Sequence, residues 1–480
     1  MVSKARLRKL IDEVSTEYEK CWKILAGMKD IQASDISGEE ILEFQPTLAS
    51  ALFRLDVMYH ALSGERTKII ERKKSLSPQW SNARLRKIAA YQKSINNVIE
   101  LGKSLGDSFA WAFYRNDRLS LERHFQHPKN SHAPPGVGGQ GEVEFIRNIR
   151  VFEGKMILYH GITTFLRIGD VSLIDLKTQK VIALGELKSK RVSPDQIEIG
   201  LFLTGPNLDK EIPIIPSDDS STSSSTGLPT EMEKNLWKQF DRMEEPFKVP
   251  KADRKAEYYD DTQIEVLQEL SKLLERKSGG YKRAGDGLLF VGIKNPKRKT
   301  LSSRFLMSSE SVERYKANLG ERFPDLVQQT LKIIDEAQAH TPTNANSLFI
   351  GQLSPVVMPG TIPLFWRDIP LPFLRSIFFY DSTIIILYNP AHLIRRLREI
   401  GYDVELVNNG RHHKVSKIIG DSKIEIMGMD YFESLVTHYL THEDVIVALF
   451  EDILRQIAAG AFSPNSRITL RIKQGQQKSV

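Results

Sequence analysis

Apolar positions in the first quarter of the chain recur every three or four residues, the spacing that places them on one side of an α-helix. Between residues 5 and 29 they form one stripe: Leu7, Leu10, Ile11, Val14, Tyr18, Trp22, Leu25 and Met28. Three further helices are predicted, over about 47–75, 80–105 and 107–126, with Ser77-Pro78 separating the first two. Residues 1–126 are therefore predicted to form a helical bundle or an antiparallel coiled coil.

The period changes after a loop rich in proline and glycine, which covers 127–141 and contains Pro134-Pro135-Gly136. A short helix over 142–149 is followed by alternating and apolar runs typical of strands. These runs cover 155–159, 163–174, 181–188 and 196–204. The pattern predicts a β-rich core over residues 138–215.

A polar serine-rich stretch predicts a linker over 216–230, because its residues cannot pack a core. Beyond it, 231–278 is predicted helical, and strand-like runs then alternate with helices. The strands are 287–293, 347–350, 382–387 and 403–407, and the helices cover 395–399 and 443–459. This order resembles βαβ units, so we expect an α/β accessory domain over 231–480 with a partly parallel sheet, which could complete the core. The fold class is α+β or α/β, with several domains.

Composition narrows the class of protein. The 480 residues are 41% hydrophobic and 26% charged, which excludes a disordered chain and a small disulfide-stapled one. Cys21 is the one cysteine, so neither an internal disulfide nor a cysteine zinc site can form. No apolar run reaches the roughly 18 residues that a membrane span needs, and the N-terminus lacks the apolar core of a signal peptide. We expect a cytoplasmic protein that does not enter a membrane.

Positive charge is concentrated in the predicted helices. Between Glu65 and Lys103, ten lysines and arginines stand against three acids, and the difference of +7 equals the net charge of the whole chain. Such a segment is a candidate surface for nucleic-acid phosphates, although a solvated helix face is the commoner explanation of a charge run. The candidate contacts are Lys73, Lys74, Arg84, Arg86 and Lys87.

One hairpin carries candidate chemistry. Asp170 and the sequence Glu186-Leu187-Lys188 lie on two strands joined by a polar turn near Thr178-Gln179. Alternation along a strand puts Glu186 and Lys188 on one face and Leu187 on the other. Whether Asp170 shares that face depends on a bulge or register shift that the sequence leaves open. Two carboxylates and a lysine on one face are costly to bury unless they are paired or bind a metal.

This arrangement resembles the PD-(D/E)xK nuclease superfamily, which has a restriction-endonuclease-like fold. The likeness covers about residues 138–205, with Ile168-Gly169 where that family often has a proline before the aspartate. It implies a Mg²⁺ site, with Mn²⁺ as a substitute, whose ligands are Asp170, Glu186 and the carbonyl of Leu187. Lys188 would be the catalytic lysine. The opening helix would supply an acid, Glu142 or Glu144, and Lys190-Arg191 would contact nucleic acid.

We therefore expect a metal-dependent nuclease acting on DNA, with microbial defence against phages or plasmids as its setting. The N-terminal helices would support a homo-oligomer, and a partner protein of a defence system is expected. A non-cleaving nucleic-acid-binding or sensing protein, and a scaffold, are the alternatives.

Other signals are weak. His412-His413 resembles a turn, His438 and His442 lack the glutamate of a zinc protease, and the basic loop 294–299 follows a strand.

Overall fold

The computed structural model describes residues 1–30, 37–205, 263–306 and 349–458, the last three with short gaps, and a few isolated positions. The chain forms two compact units. Unit 1 contains residues 1–252, 298–306 and 356–359, and unit 2 contains the rest. Both units combine helices with antiparallel sheet, so the α+β multidomain class is confirmed. The predicted linker 216–230 and residues 231–262 of the predicted helical stretch 231–278, Met243 apart, lie outside the described residues.

The helices are α1 (Lys4–Lys29), α2 (Gly38–Glu71), α3 (Pro78–Tyr114), α4 (Arg118–Phe125), α5 (Val137–Asn148), α6 (Ile264–Arg276), α7 (Leu301–Phe305), α8 (Leu371–Phe378), α9 (Ala391–Glu399) and α10 (Glu443–Ala458). The strands are β1 (Val151–Phe152), β2 (Lys155–Tyr159), β3 (Val171–Asp175), β4 (Lys180–Ser193), β5 (Gln196–Thr204), β6 (Gly279–Ala284), β7 (Leu288–Lys294), β8 (Phe349–Gln352), β9 (Ser382–Tyr388), β10 (Asp403–Val407), β11 (His412–Ile419) and β12 (Ser422–Ile426).

The first three helices pack on one another along their apolar stripes, as the periodicity predicts. Ser37 and Glu40 cap α2 reciprocally, and Pro78 opens α3 in the first turn, where its missing N–H costs nothing. The predicted break between 105 and 107 is wrong, because α3 continues to Tyr114. A single glycine, Gly106, costs a helix only about 1 kcal/mol, and burial of the whole stretch from 101 to 111 outweighs that cost.

Helix α5 begins at Val137, five residues earlier than expected, so the glycine run is helical rather than a loop. The helix packs against β4 and β5. A Cβ at Gly141 would collide with the side chain of Ser189, so the close approach of α5 to β4 requires glycine there. The glycines that suggested a loop therefore allow helix-to-sheet packing instead.

Unit 1 contains a five-stranded antiparallel meander in the order β1-β2-β3-β4-β5. The sheet and the helical bundle, for which the sequence predicts the domains 138–215 and 1–126, lie in the same compact unit. Buried polar side chains join the two. The side-chain amide of Gln45 on α2 donates to the carbonyl of Ile157 at 2.7 Å and accepts from the N–H of Tyr159 at 2.7 Å. Such specific bonds are typical of a core interface rather than of a linker.

Unit 2 contains a four-stranded sheet, β6-β7-β9-β8, and a three-stranded sheet, β10-β11-β12. Every strand pair described in it is antiparallel, so the expected partly parallel sheet is wrong for this part of the chain. The alternation of strand and helix favoured a parallel sheet, but α9 links β9 to a strand of the other sheet and is not a βαβ crossover.

His412 and His413 open β11 and are not in a turn. None of the described helices has the length and apolar character needed to cross a membrane.

Candidate functional site

A β-bulge brings the two predicted metal ligands onto the same face of the meander. Val171 pairs with Gly185, so Asp170, one residue before β3, lies opposite Glu186. The register shifts by one residue between Leu173 and Ile174. Without that shift Asp170 would lie opposite Gly185, and Glu186 would point to the other face. The bulge therefore resolves the register that the sequence left open.

The backbone just before Asp170 is held in an unusual conformation. Gly169 has φ of 70°, and a Cβ there would lie 2.7 Å from the carbonyl oxygen of Gly185. The N–H of Asp170 donates to that same carbonyl at 2.7 Å, and the carbonyl of Asp170 accepts from the N–H of His160 at 2.8 Å. The glycine before the aspartate thus allows a tight turn that aims Asp170 at β4.

Strand β4 presents the Glu186-Leu187-Lys188 sequence as alternation predicts. Nζ of Lys188 donates to Oε1 of Glu186 at 2.7 Å, which shows that the two side chains share a face. Glu186 is only 8% exposed. The backbone N–H of Leu187 donates to Oδ2 of Asp170 at 2.7 Å. Asp170, Glu186 and Lys188 are therefore joined through a short stretch of β4.

Of the two helix acids, Glu142 lies at this site and Glu144 does not. Glu142 accepts a hydrogen bond from the hydroxyl of Tyr159, at the end of β2. Glu144 is 42% exposed and pairs with Arg147 at 2.8 Å on the outer side of α5. The expectation that Glu144 could serve is corrected, because two residues along α5 put it on a different face of the helix from Glu142.

Two acids at this site have a raised pKa. Burial, followed by the charges of Glu186 and Glu142, raises the pKa of Asp170 well above its usual range. Burial raises the pKa of Glu142, and the neighbouring Glu186 adds to that effect, while the Tyr159 hydrogen bond, Lys188 and Lys103 oppose it. Buried carboxylates whose pKa is shifted by neighbouring charges are a recognised mark of a functional site.

Two members of this cluster were missed by sequence reasoning. Tyr159 carries no motif, and its role depends on the end of β2 meeting α5. Lys103 was counted within the basic surface, yet it is only 5% exposed and its charge acts on Glu142. Its place within a stretch of α3 that is buried on all sides is a tertiary feature that no local pattern indicates.

The carboxylate oxygens at this site suit Mg²⁺, which keeps several water ligands, better than a metal ion whose ligands are all protein side chains. Within the described residues, no three His, Cys, Asp or Glu side chains are grouped so that they could hold a metal ion. The carboxylates already have partners, with Lys188 bonded to Glu186 and Tyr159 to Glu142. Mg²⁺ needs only one or two carboxylates because it keeps several waters. Asp170 and Glu186, with their hard oxygens and shared face, meet that requirement.

The predicted phosphate contacts differ in how available they are. Lys73, Lys74, Arg86 and Lys87 are exposed around the turn between α2 and α3. Arg84 is corrected, because its guanidinium is 11% exposed and bonds to Glu65 and to the carbonyl of Val2. On β4, Lys190 and Arg191 are exposed, and Arg191 also donates to the side chain of Gln140 at 3.2 Å.

Comparison of the chain with protein-family models, with curated proteins and with solved structures finds no match. The resemblance to the PD-(D/E)xK superfamily accordingly stays a prediction.

Proposed function

We propose that this protein is a Mg²⁺-dependent nuclease that hydrolyses phosphodiester bonds of DNA, and that Mn²⁺ can replace Mg²⁺. The observation that carries the proposal is that three mostly buried acids, Glu142, Asp170 and Glu186, lie near enough for their charges to interact, with Lys188 bonded to Glu186. Stability alone does not account for such a cluster, because buried charges cost more than well-packed apolar residues of similar volume.

Asp170, Glu186 and the carbonyl of Leu187 would hold the metal. In a β-strand the N–H and C=O of one residue point to the same side. The N–H of Leu187 points to Asp170, so its carbonyl faces the same side, which is the edge of β4 away from β5 and beyond the last described β3 pair. One strand end therefore offers two carboxylates and a backbone oxygen to a single cation.

A bound Mg²⁺ would polarise the scissile phosphate and lower the pKa of a water on it. Lys188 now neutralises Glu186, and with Mg²⁺ bound at the acids the Lys188 ammonium would be free to contact the phosphate or the attacking water. Glu142, held by the Tyr159 hydroxyl and with a raised pKa, would orient a water at the inner end of the cluster. Lys188 would then offset the charge that develops on the phosphate.

Phosphate contacts outside the cluster would come from two places. Lys190 follows Lys188 by two residues, so alternation puts it on the same face of β4. The turn between α2 and α3 exposes Lys73 and Lys74 together with Trp80 on the first turn of α3. Cations beside an exposed aromatic ring suit a nucleic-acid strand, whose phosphates and bases they can both contact. Defence against phages or plasmids remains the predicted setting.

Plasmid and linear DNA incubated with Mg²⁺, Mn²⁺ or EDTA test the proposal. We expect a product with either metal and none with EDTA, and we expect Glu186→Gln to lose cleavage while staying folded. Glu144→Gln is the matched control, since it alters an acid of the same neighbourhood that faces solvent. DNA binding without any metal-dependent product would instead support a non-cleaving sensor. No gel shift even at low salt would support a scaffold.

A further inference from the structure

Behind Asp170 lies a row of four buried polar side chains that the proposed chemistry does not use. They are His124 on α4, Tyr114 on α3, Ser172 on β3 and His160 in the turn after β2. The Tyr114 hydroxyl lies 2.6 Å from Oγ of Ser172 and 3.4 Å from Nε2 of His124. Oγ of Ser172 lies 2.5 Å from Nε2 of His160. The row is continuous from one histidine to the other.

Backbone groups at both ends fix the direction of these hydrogen bonds. Nδ1 of His124 accepts from the N–H groups of Arg167 and Ile168, at 3.0 and 3.1 Å. At the other end, Nδ1 of His160 lies 3.0 Å from the carbonyl of Gly169, to which it must donate. Burial lowers the pKa of both imidazoles, to about 4 for His160, so both rings are neutral and each carries one proton.

Each proton then has one consistent place. His124 carries its proton on Nε2 and donates to Tyr114, and Tyr114 donates to Ser172. Ser172 donates to Nε2 of His160, and His160 donates from Nδ1 to Gly169. No group in the row competes with its neighbour, so all four side chains are satisfied without water.

We propose that this row, the positioning network, fixes the turn of residues 167–169 and thereby holds Asp170 in the geometry that binds the metal. The network grips three consecutive residues of that turn, at two N–H groups and one carbonyl. The next residue is Asp170, whose side chain meets β4. The four side chains are positioning residues that act through Asp170. The inference rests on the proposed function, because it assigns them a metal-binding consequence.

The same loop is anchored further by α3 and α4. Both oxygens of Asp107 accept from Thr164, at 2.6 Å from its N–H and 2.7 Å from its hydroxyl. The guanidinium of Arg167 donates to the carbonyls of Phe125 and His127, at and just past the end of α4. These contacts set where the loop lies, and the network sets how its last residues are turned. The helical bundle thus supports the acid cluster from behind.

Replacing Tyr114 by phenylalanine tests the network, with Tyr18→Phe as the matched control. Both tyrosines are buried in the helical bundle, and the Tyr18 hydroxyl bonds to a backbone carbonyl, that of Val98, rather than to the network. The two variants should lose similar thermal stability. Mn²⁺ titration, followed by electron paramagnetic resonance of the free ion, should show about ten-fold weaker binding for Tyr114→Phe alone. Equal Mn²⁺ affinity in the two variants would overturn the proposal.

Two substitutions of His160 give an independent check. Asparagine places its amide where Nδ1 stood and can still donate to Gly169, whereas glutamine places its amide nearer the Nε2 position and reaches Ser172 instead. We expect His160→Asn to retain Mn²⁺ affinity within about three-fold and His160→Gln to lose about ten-fold. The reverse order would contradict the assignment of the Gly169 bond as the decisive link.

Hydrogen exchange separates this inference from the proposed function. If the unaltered protein binds no Mn²⁺ and cuts no DNA, the metal-dependent nuclease is wrong. The network is then judged from amide exchange across residues 163–170. Faster exchange there in Tyr114→Phe than in Tyr18→Phe would support the network as a clamp on the turn. Equal exchange in both variants would refute it, whatever the enzyme activity.

Discussion

The central sheets of the two units share antiparallel topology and differ in what they bury. In unit 2, β7 and β9 contribute an apolar cluster of Leu289, Val291, Ile293 and Leu387. In unit 1, the end of the sheet where β3 begins carries Asp170 and Glu186, with Lys188 bonded to Glu186. Lys294, exposed at the end of β7, donates to the carbonyl of Glu275 at 3.4 Å. The apolar cluster of unit 2 is enough to hold such a sheet together, so the charge in unit 1 calls for a functional explanation.

A tyrosine–glutamate pair occurs in each unit and extends the contrast. Tyr388 donates to Glu443 at 2.6 Å in unit 2, as Tyr159 donates to Glu142 in unit 1. Burial is the largest cause of the raised pKa of both glutamates. The charge of Asp444, which is exposed, helps to raise the pKa of Glu443. The charge that helps to raise the pKa of Glu142 belongs to Glu186, which is buried in the same cluster. A buried acid becomes a candidate site when other buried acids join it.

The largest expected effect comes from comparing one lysine of each sheet, Lys188 on β4 and Lys294 on β7. We expect Lys188→Ala to lower the rate of DNA cleavage on the order of 10²–10³-fold, because it removes a charge aimed at the reacting phosphate. Lys294→Ala should leave the rate unchanged. Cleavage rates at saturating Mg²⁺ measure both. Equal losses in the two variants would remove the functional distinction between the sheets.

The second prediction compares stability. Leu289→Ala should lower the free energy of unfolding of unit 2 by about 2–5 kcal/mol, because it leaves a cavity in the apolar cluster. Glu186→Gln should change that of unit 1 by about 1 kcal/mol or less without metal, since the amide oxygen can still accept from Lys188. Urea unfolding of each variant checks this pair. A large loss in Glu186→Gln would mean that the acid cluster serves folding.

The third prediction is a pH dependence in unit 2. Burial raises the pKa of Glu443 to about 7, from an ordinary value of 4.5. Between those two values the folded state keeps a proton that the unfolded state has released, so stability should fall as pH rises from about 4.5 through 7. The expected loss is roughly 1–3 kcal/mol. Melting temperatures of the unaltered protein and Glu443→Gln should diverge over that range, and parallel curves would contradict the assignment.

The smallest expected effect concerns DNA affinity. Replacing both Lys73 and Lys74 with alanine should weaken DNA binding several-fold. It should also reduce the slope of log affinity against log salt concentration by the amount expected for about two lost phosphate contacts. Arg84→Ala should leave the salt dependence unchanged, because its guanidinium is committed to Glu65. Binding measured at several salt concentrations distinguishes them. The same slope for both variants would exclude the turn between α2 and α3 as a phosphate contact.

Helical periodicity predicted the packing helices at the start of the chain, and alternation along β4 predicted that Glu186 and Lys188 share a face. The choice of Glu142 over Glu144 could not be predicted, since it depends on which face of α5 packs on β4, where Gly141 lies against Ser189. The role of Arg84 likewise depends on α2 meeting α3. Each failure concerns a tertiary contact between segments distant in sequence, which no single-segment pattern contains.

The bulge between Leu173 and Ile174 has a consequence for how such sites change over time. Two residues on neighbouring strands of a hairpin share a face or not according to whether the number of residues between them is odd or even. A single inserted or deleted codon in β4 can therefore bring Asp170 and Glu186 onto one face or separate them. Point substitution would need several steps to do the same. A chain with one residue fewer in this hairpin would keep the same motif residues in its sequence. It would lose the position of Asp170 opposite Glu186.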